Sequence, residues 1–506
     1  MPSTYRSNFF KLTPAQAAAG GTYDIIIIGA GFGGGTLAVD LFDKNQKLGS
    51  KAKKILLIER GELPFISHCL NTARPTKDNP GEQNNFFFRT FRDEYKKTSE
   101  TTEWDGGPVY GLGGRSAVWG LFIPRPSKES FTNFPPNVVR DLKATYLPKA
   151  ESILKLSSPE TKSVHQRVID RLNGHSDSRH WHWARMASEF IENRNFDFAE
   201  GAYSPIDRLL EIAMDNPKGD DNFKILLGAE VEKLTSISDA VKQVVLKGSP
   251  TVILKANKVV LCAGSVHSAA ILLRSKIKFG TGTGELDVGK LTDHDMYRVE
   301  RSFEYVEPRD RDKLGSMRLQ THTKLGTKKQ VAAIVNMWLD ASSFLPRRHV
   351  LDGNDPRLLM FFILPSELNL DNSITLDNNS DPVIHIKRII GGDENRIKDD
   401  MCAVVAQVMG DLSKELGVSF SEKAPNRNDM DSLRLKLGVV AHELGSLPMG
   451  NPKISEQIPA LDDNLKLVIG QNVYACDLSV FPYSPDANPS LTLAALALRL
   501  SDHLSA

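Results

Sequence analysis

Residues 23–36 read Tyr-Asp-Ile-Ile-Ile-Ile-Gly-Ala-Gly-Phe-Gly-Gly-Gly-Thr, and the fold is decided there. Four consecutive isoleucines, Ile25 to Ile28, have no polar residue between them, which predicts a strand buried on both faces in a parallel sheet. The strand runs into Gly29-x-Gly31-x-x-Gly34 and then into a helical pattern that includes Leu37, Ala38, Leu41 and Phe42. In such a motif the first glycine makes the tight turn, the second admits a pyrophosphate to the backbone, and the third lets helix pack on strand. The N–H groups freed at the helix start, with the helix dipole behind them, favour phosphate charge. Glycines also cluster in ordinary turns, so the motif alone is weak. Its context strengthens it. A second apolar strand, Ile55 to Ile58, ends in Glu59, roughly 20 to 25 residues past the last glycine, where a carboxylate accepts from ribose hydroxyls. The plainer alternative is a turn before a core helix with Glu59 merely exposed.

At 506 residues the chain is too long for one compact core and predicts two domains. Apolar residues at 41% and charged residues at 25% match a soluble globular protein. A net charge of +1, without a basic stripe interleaved with aromatics, argues against nucleic acid as a ligand. The N-terminus lacks the apolar core of a signal peptide and no later segment could span a bilayer, so no membrane partner is expected and the reading is intracellular, cytoplasmic. Cys69, Cys262, Cys402 and Cys476 lie far apart with no CxxC, so neither metal site nor disulfide framework is implied. Cys262 and Cys476 sit in apolar runs and read as small buried hydrophobes.

Along the chain, residues 1–20 read as a loosely held leader. Segments 21–65, 105–150, 205–290 and 455–506 read as one dinucleotide-binding domain built from discontinuous pieces. Residues 66–104 form an excursion or lid, 151–204 a helical segment, and 291–454 a substrate domain. The fold class is therefore α/β, a Rossmann-like domain with an α+β second domain carrying an antiparallel sheet and helices. Strands of that second sheet are expected at Val331 to Trp338, Leu358 to Leu364 and Pro382 to Lys387, with an amphipathic helix from Glu394 to Leu416. Residues 135–215 read as mostly helical, with His180, Trp181, His182 and Trp183 inside. Histidines at i and i+2 on a helix do not face one another, which favours packing over a metal site. Gln83 to Phe88 reads as an aromatic knot in the core, or as a cover over a bound cofactor.

Two residues near the end invite a catalytic reading. His442 lies on a Gly/Pro-rich loop just before the chain re-enters the first domain. Asn488 precedes a proline that opens a helix, so its side chain can point forward from a helix N-terminus. The run Tyr110 to Arg125, with glycines at 111, 113, 114 and 120, makes a backbone-rich loop suited to a flat ring system or simply a connector.

Four separated motifs occur in order: the Gly29–Gly34 fingerprint with Glu59, the Gly111-Leu-Gly-Gly-Arg-Ser-Ala-Val-Trp-Gly120 loop, Ala263-Gly264-Ser265 with Ser268, and His442 followed by Asn488-Pro-x-x-Thr492. By these the chain resembles the glucose–methanol–choline (GMC) flavin oxidoreductases over nearly its whole length, with the C-terminal block most similar to the pyranose oxidase and glycoside oxidase branch. The resemblance implies FAD, with Gly29, Ala30, Gly31, Phe32, Gly33, Gly34, Glu59 and Arg60 at its adenosine and phosphates. Gly113, Gly114, Arg115, Ser116, Val118, Trp119 and Gly120 would run along flavin and pyrophosphate. Val231 would reach the adenine by its backbone, Ala263, Gly264 and Asp477 would lie near the phosphates and ribityl chain, and Pro489 and Ser490 near the ring. Val118 stands where pyranose oxidase has its flavin-linked histidine, so the FAD is expected to be non-covalent. Ala269 departs from a proline common in the family, and His294 is assigned a structural role. The implied reaction oxidises a CH–OH group of an alcohol, sugar or glycoside by hydride transfer to flavin N5. His442 would be the general base, Asn488 would orient the substrate oxygen, and O2 or another acceptor would take the electrons. A non-redox lyase on the same scaffold and a non-catalytic flavoprotein are the alternatives.

Overall fold

A computed structural model describes residues 2–72, 83–175, 179–190, 201–215, 222–236, 242–276, 288–306, 314, 317–339, 356–389, 393–453, 459–468 and 472–506. The isoleucine run forms the strand Thr22–Ile28, with Ile25 to Ile28 all within 4% exposure. It is buried because parallel strands flank it on both sides, Ile55–Ile58 and Val252–Leu261, with Phe223–Leu226 beyond the former. The long strand Val252–Leu261 changes partners along its length. Its first half pairs antiparallel with Lys242–Leu246, which pairs in turn with Val231–Ser236, and its last residues pair in parallel with Val473–Ala475. The helix Phe32–Asn45 packs against the C-terminal helix Ser490–Ser505 and against Pro205–Asp215. Segments from both ends and the middle of the sequence thus complete one layer, and Cys262 and Cys476 are buried in it.

The reading of residues 1–20 as a loose leader does not hold. Pro14–Ala19 is a helix capped by Thr13 and Gln16, it packs on Val252–Leu261, and Ala17 O accepts the Tyr23 hydroxyl at 2.8 Å. Phe10, Leu12 and Ala17 are buried, so apolar contact holds the segment down.

The second sheet is antiparallel, in the order Val418–Phe420, Asp295–Tyr305, Arg357–Leu364, Val331–Leu339, Met317–Leu325, His182–Trp183. The last strand corrects the helical reading of the His/Trp run. His182 pairs with Gln320 and Trp183 with Leu319, while Trp181 is 1% exposed: the alternation of His and Trp is the period of an edge strand. Pro382–His385 is a strand too, but it belongs to a separate small sheet with Ser373–Leu376 and Lys96–Lys97. The helix Glu394–Leu416 covers one face of the large antiparallel sheet through Met401, Val405, Val408 and Leu412. On its other face Met296, Ile334 and Ile363 pack together, and Met296 and Ile363 line a cavity that Gly31 and Gly264 also border. Gln83–Phe91 is a helix whose Phe86, Phe87 and Phe91 gather near Phe65, with Phe65 and Phe91 ring centres 4.8 Å apart, but Phe86 and Phe91 are exposed, so the cluster is not in the core, and Phe88 lines the cavity described below.

A Cβ on Gly34 would sit 2.0 Å from Gly29 O, whereas one on Gly410, in the exposed middle of Glu394–Leu416, meets nothing within 4 Å. Gly34→Ala is expected to cost about 2–3 kcal/mol in chemical unfolding. Gly410→Ala should stabilise by roughly 0.5–1 kcal/mol; equal effects of the two would contradict the packing described.

Candidate active site

The strand–helix turn sets the site. Gly29 has φ +103°, and a Cβ there would lie 2.3 Å from Cys262 O. A Cβ on Gly33 would lie 2.2 Å from Cys476 O, so three backbone segments meet where only hydrogen atoms fit. Gly31 is the exception: a Cβ there meets no atom within 4 Å, because the space above it opens into a cavity of ≈390 Å3. A second helix, Ser265–Arg274, starts at the same cavity from Gly264, where φ is +85° and the Cβ position is again open. Two helix N-termini on one cavity make a place for a doubly anionic group.

Glu59 closes one end. Its Oε2 accepts from Ala30 N at 2.9 Å, and its Oε1 from Gly61 N at 2.8 Å and Gly111 N at 3.2 Å. Burial pushes its carboxyl pKa up, against those three donors. A carboxylate offers about four acceptor positions, so one remains for a ligand hydroxyl. Beside it the Arg60 guanidinium lies 4.1 Å from the Tyr110 ring centre, and Tyr110 OH is 2.7 Å from His267 Nε2. Burial pulls the His267 pKa down to about 3, which keeps the imidazole neutral. Val231 lines this end as well.

The glycine-rich loop forms a short turn over Gly114–Ala117, and Gly114, Ser116, Val118, Trp119 and Gly120 line the cavity. Arg115 lines it too, but its hydrogen bonds run away from the helix termini. Its Nη1 donates to Ala441 O at 3.0 Å, its Nη2 to Gly107 O at 2.8 Å, and it forms an ion pair with Glu443, which is 2% exposed. The guanidinium therefore grips the residues on either side of His442. Ala441 is held at φ +58°, a strained conformation for a residue with a Cβ.

His442 and Asn488 line the same cavity. His442 Nδ1 and Asn488 Oδ1 are buried without a hydrogen-bond partner among the described residues. The His294 ring meets His442 edge-on, centroids 4.8 Å apart, and its Nδ1 lies 2.9 Å from Ser484 Oγ. Burial, then His294, then the Arg115 charge hold the His442 pKa well below the ordinary histidine value. Asp477 lines the cavity from behind the Gly264 turn, and Pro489 and Ser490 follow Asn488 there.

Of the residues singled out in the sequence, Gly29, Phe32, Gly33, Arg60, Ala263 and Gly264 also border the cavity, while Ala30, Gly34 and Gly113 stand one layer behind it. Ala30 N serves Glu59, Gly34 packs on Gly29, and Gly113 N donates to Ala30 O at 2.9 Å. The sequence reading missed Tyr110 and His267, and it named none of the second-sheet residues that line the cavity. Asn336, the one polar residue in the run Val331–Leu339, was the available signal. Among the described residues no His/Cys/Asp/Glu group could hold a metal ion, and no helix is long and apolar enough to cross a membrane.

Residues 369–497 match the family model described as GMC oxidoreductase. The fold is shared with pyridoxine 4-oxidase from Mesorbium loti, whose crystal structure matches with a TM-score of 0.64 at 16% sequence identity, over 95% of this chain and 99% of that one. No curated protein matches the chain in sequence.

Arg115→Gln leaves Glu443 buried without its counter-charge and is expected to lower stability by about 3 kcal/mol in denaturant titration. Gly31→Leu fills open space, so the melting temperature of the ligand-free protein should hold while flavin retention on purification falls. A normal yellow Gly31→Leu protein would count against a dinucleotide at this turn.

Proposed function

We propose that the protein is an FAD-dependent oxidoreductase that oxidises a CH–OH group, with His442 as general base and Asn488 orienting the substrate oxygen. One observation carries the reading: His442 Nδ1 is buried, without a hydrogen-bond partner among the described residues, on a cavity that Asn488 also lines and that receives two helix N-termini. An enzyme keeps such unsatisfied polar atoms where a substrate is to satisfy them. FAD fits the residues present. The open positions above Gly31 and Gly264 suit a pyrophosphate, and the free acceptor position of Glu59 suits a ribose hydroxyl. Val118, 2% exposed and aliphatic, offers no atom for a covalent link. When bound, FAD supplies the acceptor for the hydride that leaves the carbinol carbon.

The chain's own residues do the rest. His442, neutral because buried, takes the hydroxyl proton on a ring nitrogen. Asn488 donates its amide N–H to the carbinol oxygen as negative charge grows there. Arg115 fixes the backbone on both sides of His442, so the imidazole keeps its direction. Phe88, Trp119 and Phe361 line the cavity and exclude water from it. O2 or another acceptor then takes the electrons. The second-sheet wall, with Met296, Trp338, Phe361 and Ile363, favours an alcohol with an apolar body over a sugar, whose several hydroxyls would each need a partner.

Anaerobic mixing with alcohols should bleach the flavin bands, and admission of air tests oxygen as acceptor. His442→Ala should slow flavin reduction by about 10²–10⁴-fold with FAD retained; loss of FAD, or unchanged reduction, rejects the assignment. Because the folded state disfavours protonated His442, its acid limb falls below the value for free histidine, about 6.5. Reduction should therefore hold its plateau as pH drops through that value; a limb at or above it would show His442 is not the base.

A further inference from the structure

One face of the antiparallel sheet supplies a wall of the cavity, and the register sorts its side chains into rows. Met296, Ile363 and Ile334 lie opposite one another in the row that follows His294, whose ring meets that of His442. Arg298, Phe361, Asn336 and Gln320 make the next row, and Glu300, Leu359, Trp338 and Arg318 the row beyond it. The Asn336 row lies about 13 Å along the strand from His294, four residues at roughly 3.3 Å each. Asn336 itself stands two strands across from Arg298, a further ~10 Å. Its neighbours on this face are apolar, with Ile334 and Trp338 along its own strand and Phe361 beside it. Among the described residues Asn336 carries the only amide or hydroxyl that the sheet places on the cavity.

The direction of the Asn336 amide is set from behind. Arg185 N, a backbone donor, lies 3.4 Å from Gln320 Oε1, so Gln320 turns its Nε2 toward Asn336. That Nε2 donates to Asn336 Oδ1 at 2.5 Å. A reversed Asn336 would set one NH2 group against another. Gln320 is 1% exposed and Asn336 3%, so water does not take the place of either partner. The Asn336 oxygen is thus used inside the wall. Its two N–H hydrogens, without a partner among the described residues, face the cavity. In the same row the Arg298 guanidinium is already engaged, with Nη2 donating to Glu300 Oε2 at 2.9 Å. The wall therefore offers a neutral donor in an apolar field. A ligand without an acceptor there leaves the amide unsatisfied, and a site of this kind rejects such a ligand.

We propose that the substrate is an alcohol whose flat apolar body ends, away from the reacting carbinol, in a neutral hydrogen-bond acceptor such as a carbonyl oxygen, and that Asn336 selects it by donating to that acceptor. The rings of Phe122, Trp338 and Phe361 on the cavity suit a flat body. The separation of Asn336 from His294 puts the acceptor at the far end of that body. Gln320 touches no ligand and is a positioning residue. The carbinol part rests on the function proposed above; recognition of the acceptor does not.

The test is calorimetric titration of the full chain as purified. The probes are toluene and 2-methylnaphthalene carrying, at the far end, either an acetyl group or the isosteric isopropenyl group, which accepts no hydrogen bond. Neither has a carbinol. For at least one body length the acetyl compound should bind about tenfold or more tighter than its isopropenyl twin. Asn336→Leu should abolish that preference by weakening acetyl binding alone. Asn336→Asp keeps an acceptor for Gln320 Nε2 but has no donor for the ligand, and should abolish it too. Gln320→Glu faces Asn336 with an acceptor, so the amide should reverse and the preference vanish although no ligand contact was altered. The corresponding benzyl and naphthylmethyl alcohols are then mixed anaerobically with the flavin-loaded protein. The half-saturating concentration of the acetyl alcohol should rise about tenfold in Asn336→Leu, and that of the isopropenyl alcohol should not. Equal binding of the twins at both lengths, binding of neither, or an unchanged preference in folded Asn336→Leu or Asn336→Asp would overturn the proposal. An acetyl preference that Asn336→Leu removes, with no flavin reduction by any of the alcohols, would uphold it and sink the redox reading instead.

Discussion

A single buried carboxylate ties the site together. Asp477 Oδ2 accepts from Gly264 N at 2.9 Å and from Ser268 Oγ at 2.6 Å, and its Oδ1 accepts from Ser479 N at 2.8 Å. Burial raises its pKa, and the three donors offset that cost. The turn it caps, Leu478–Val480, then sets a register: Leu478 O, Ser479 O and Val480 O accept from Gly445 N, Leu447 N and Met449 N. The loop bearing His442 is thereby hung on the same turn that leads to Asn488. The helix N-terminus at Gly264 and both candidate catalytic side chains owe their relative positions to one carboxylate.

Arg115 adds a second constraint from the opposite side. It belongs to the glycine-rich loop of the first domain, yet its guanidinium reaches Ala441 O and the Glu443 carboxylate. A positive φ at Ala441 costs of order 1 kcal/mol or more, and it persists because the neighbouring bonds leave the backbone no relaxed alternative. Strain next to His442 is therefore held in place by charge.

The part of the fold that rests on local chemistry was legible. Four isoleucines and three spaced glycines fix a strand, a turn and a helix among neighbouring residues, and Glu59 follows by short-range spacing. His442 and Asn488 were placed by their loop context and by family resemblance, not by any property of the histidine or asparagine alone. What was illegible depends on distant pairing. Nothing local says that the His/Trp run lies beside Leu319 and Gln320, or that Pro382–His385 prefers Lys96–Lys97 to the larger sheet. The same holds for the cavity wall, where Arg298, Phe361 and Asn336 become neighbours only through register. Arg115 shows the limit of motif reading: its loop was placed on the cavity, but the direction of its side chain depends on Glu443, more than three hundred residues away.

The strand Val252–Leu261 has a meaning for how the protein is made. One edge of its last residues is covered only when Val473–Ala475 arrives in parallel beside them. During synthesis that apolar edge waits, unpaired, until about two hundred further residues have left the ribosome. Parallel pairing over such a separation is slow to form and offers a template for wrong partners meanwhile. Chaperone protection of the nascent chain thus matters more here than for a protein whose sheet closes as it emerges, and C-terminal truncation removes the cover altogether.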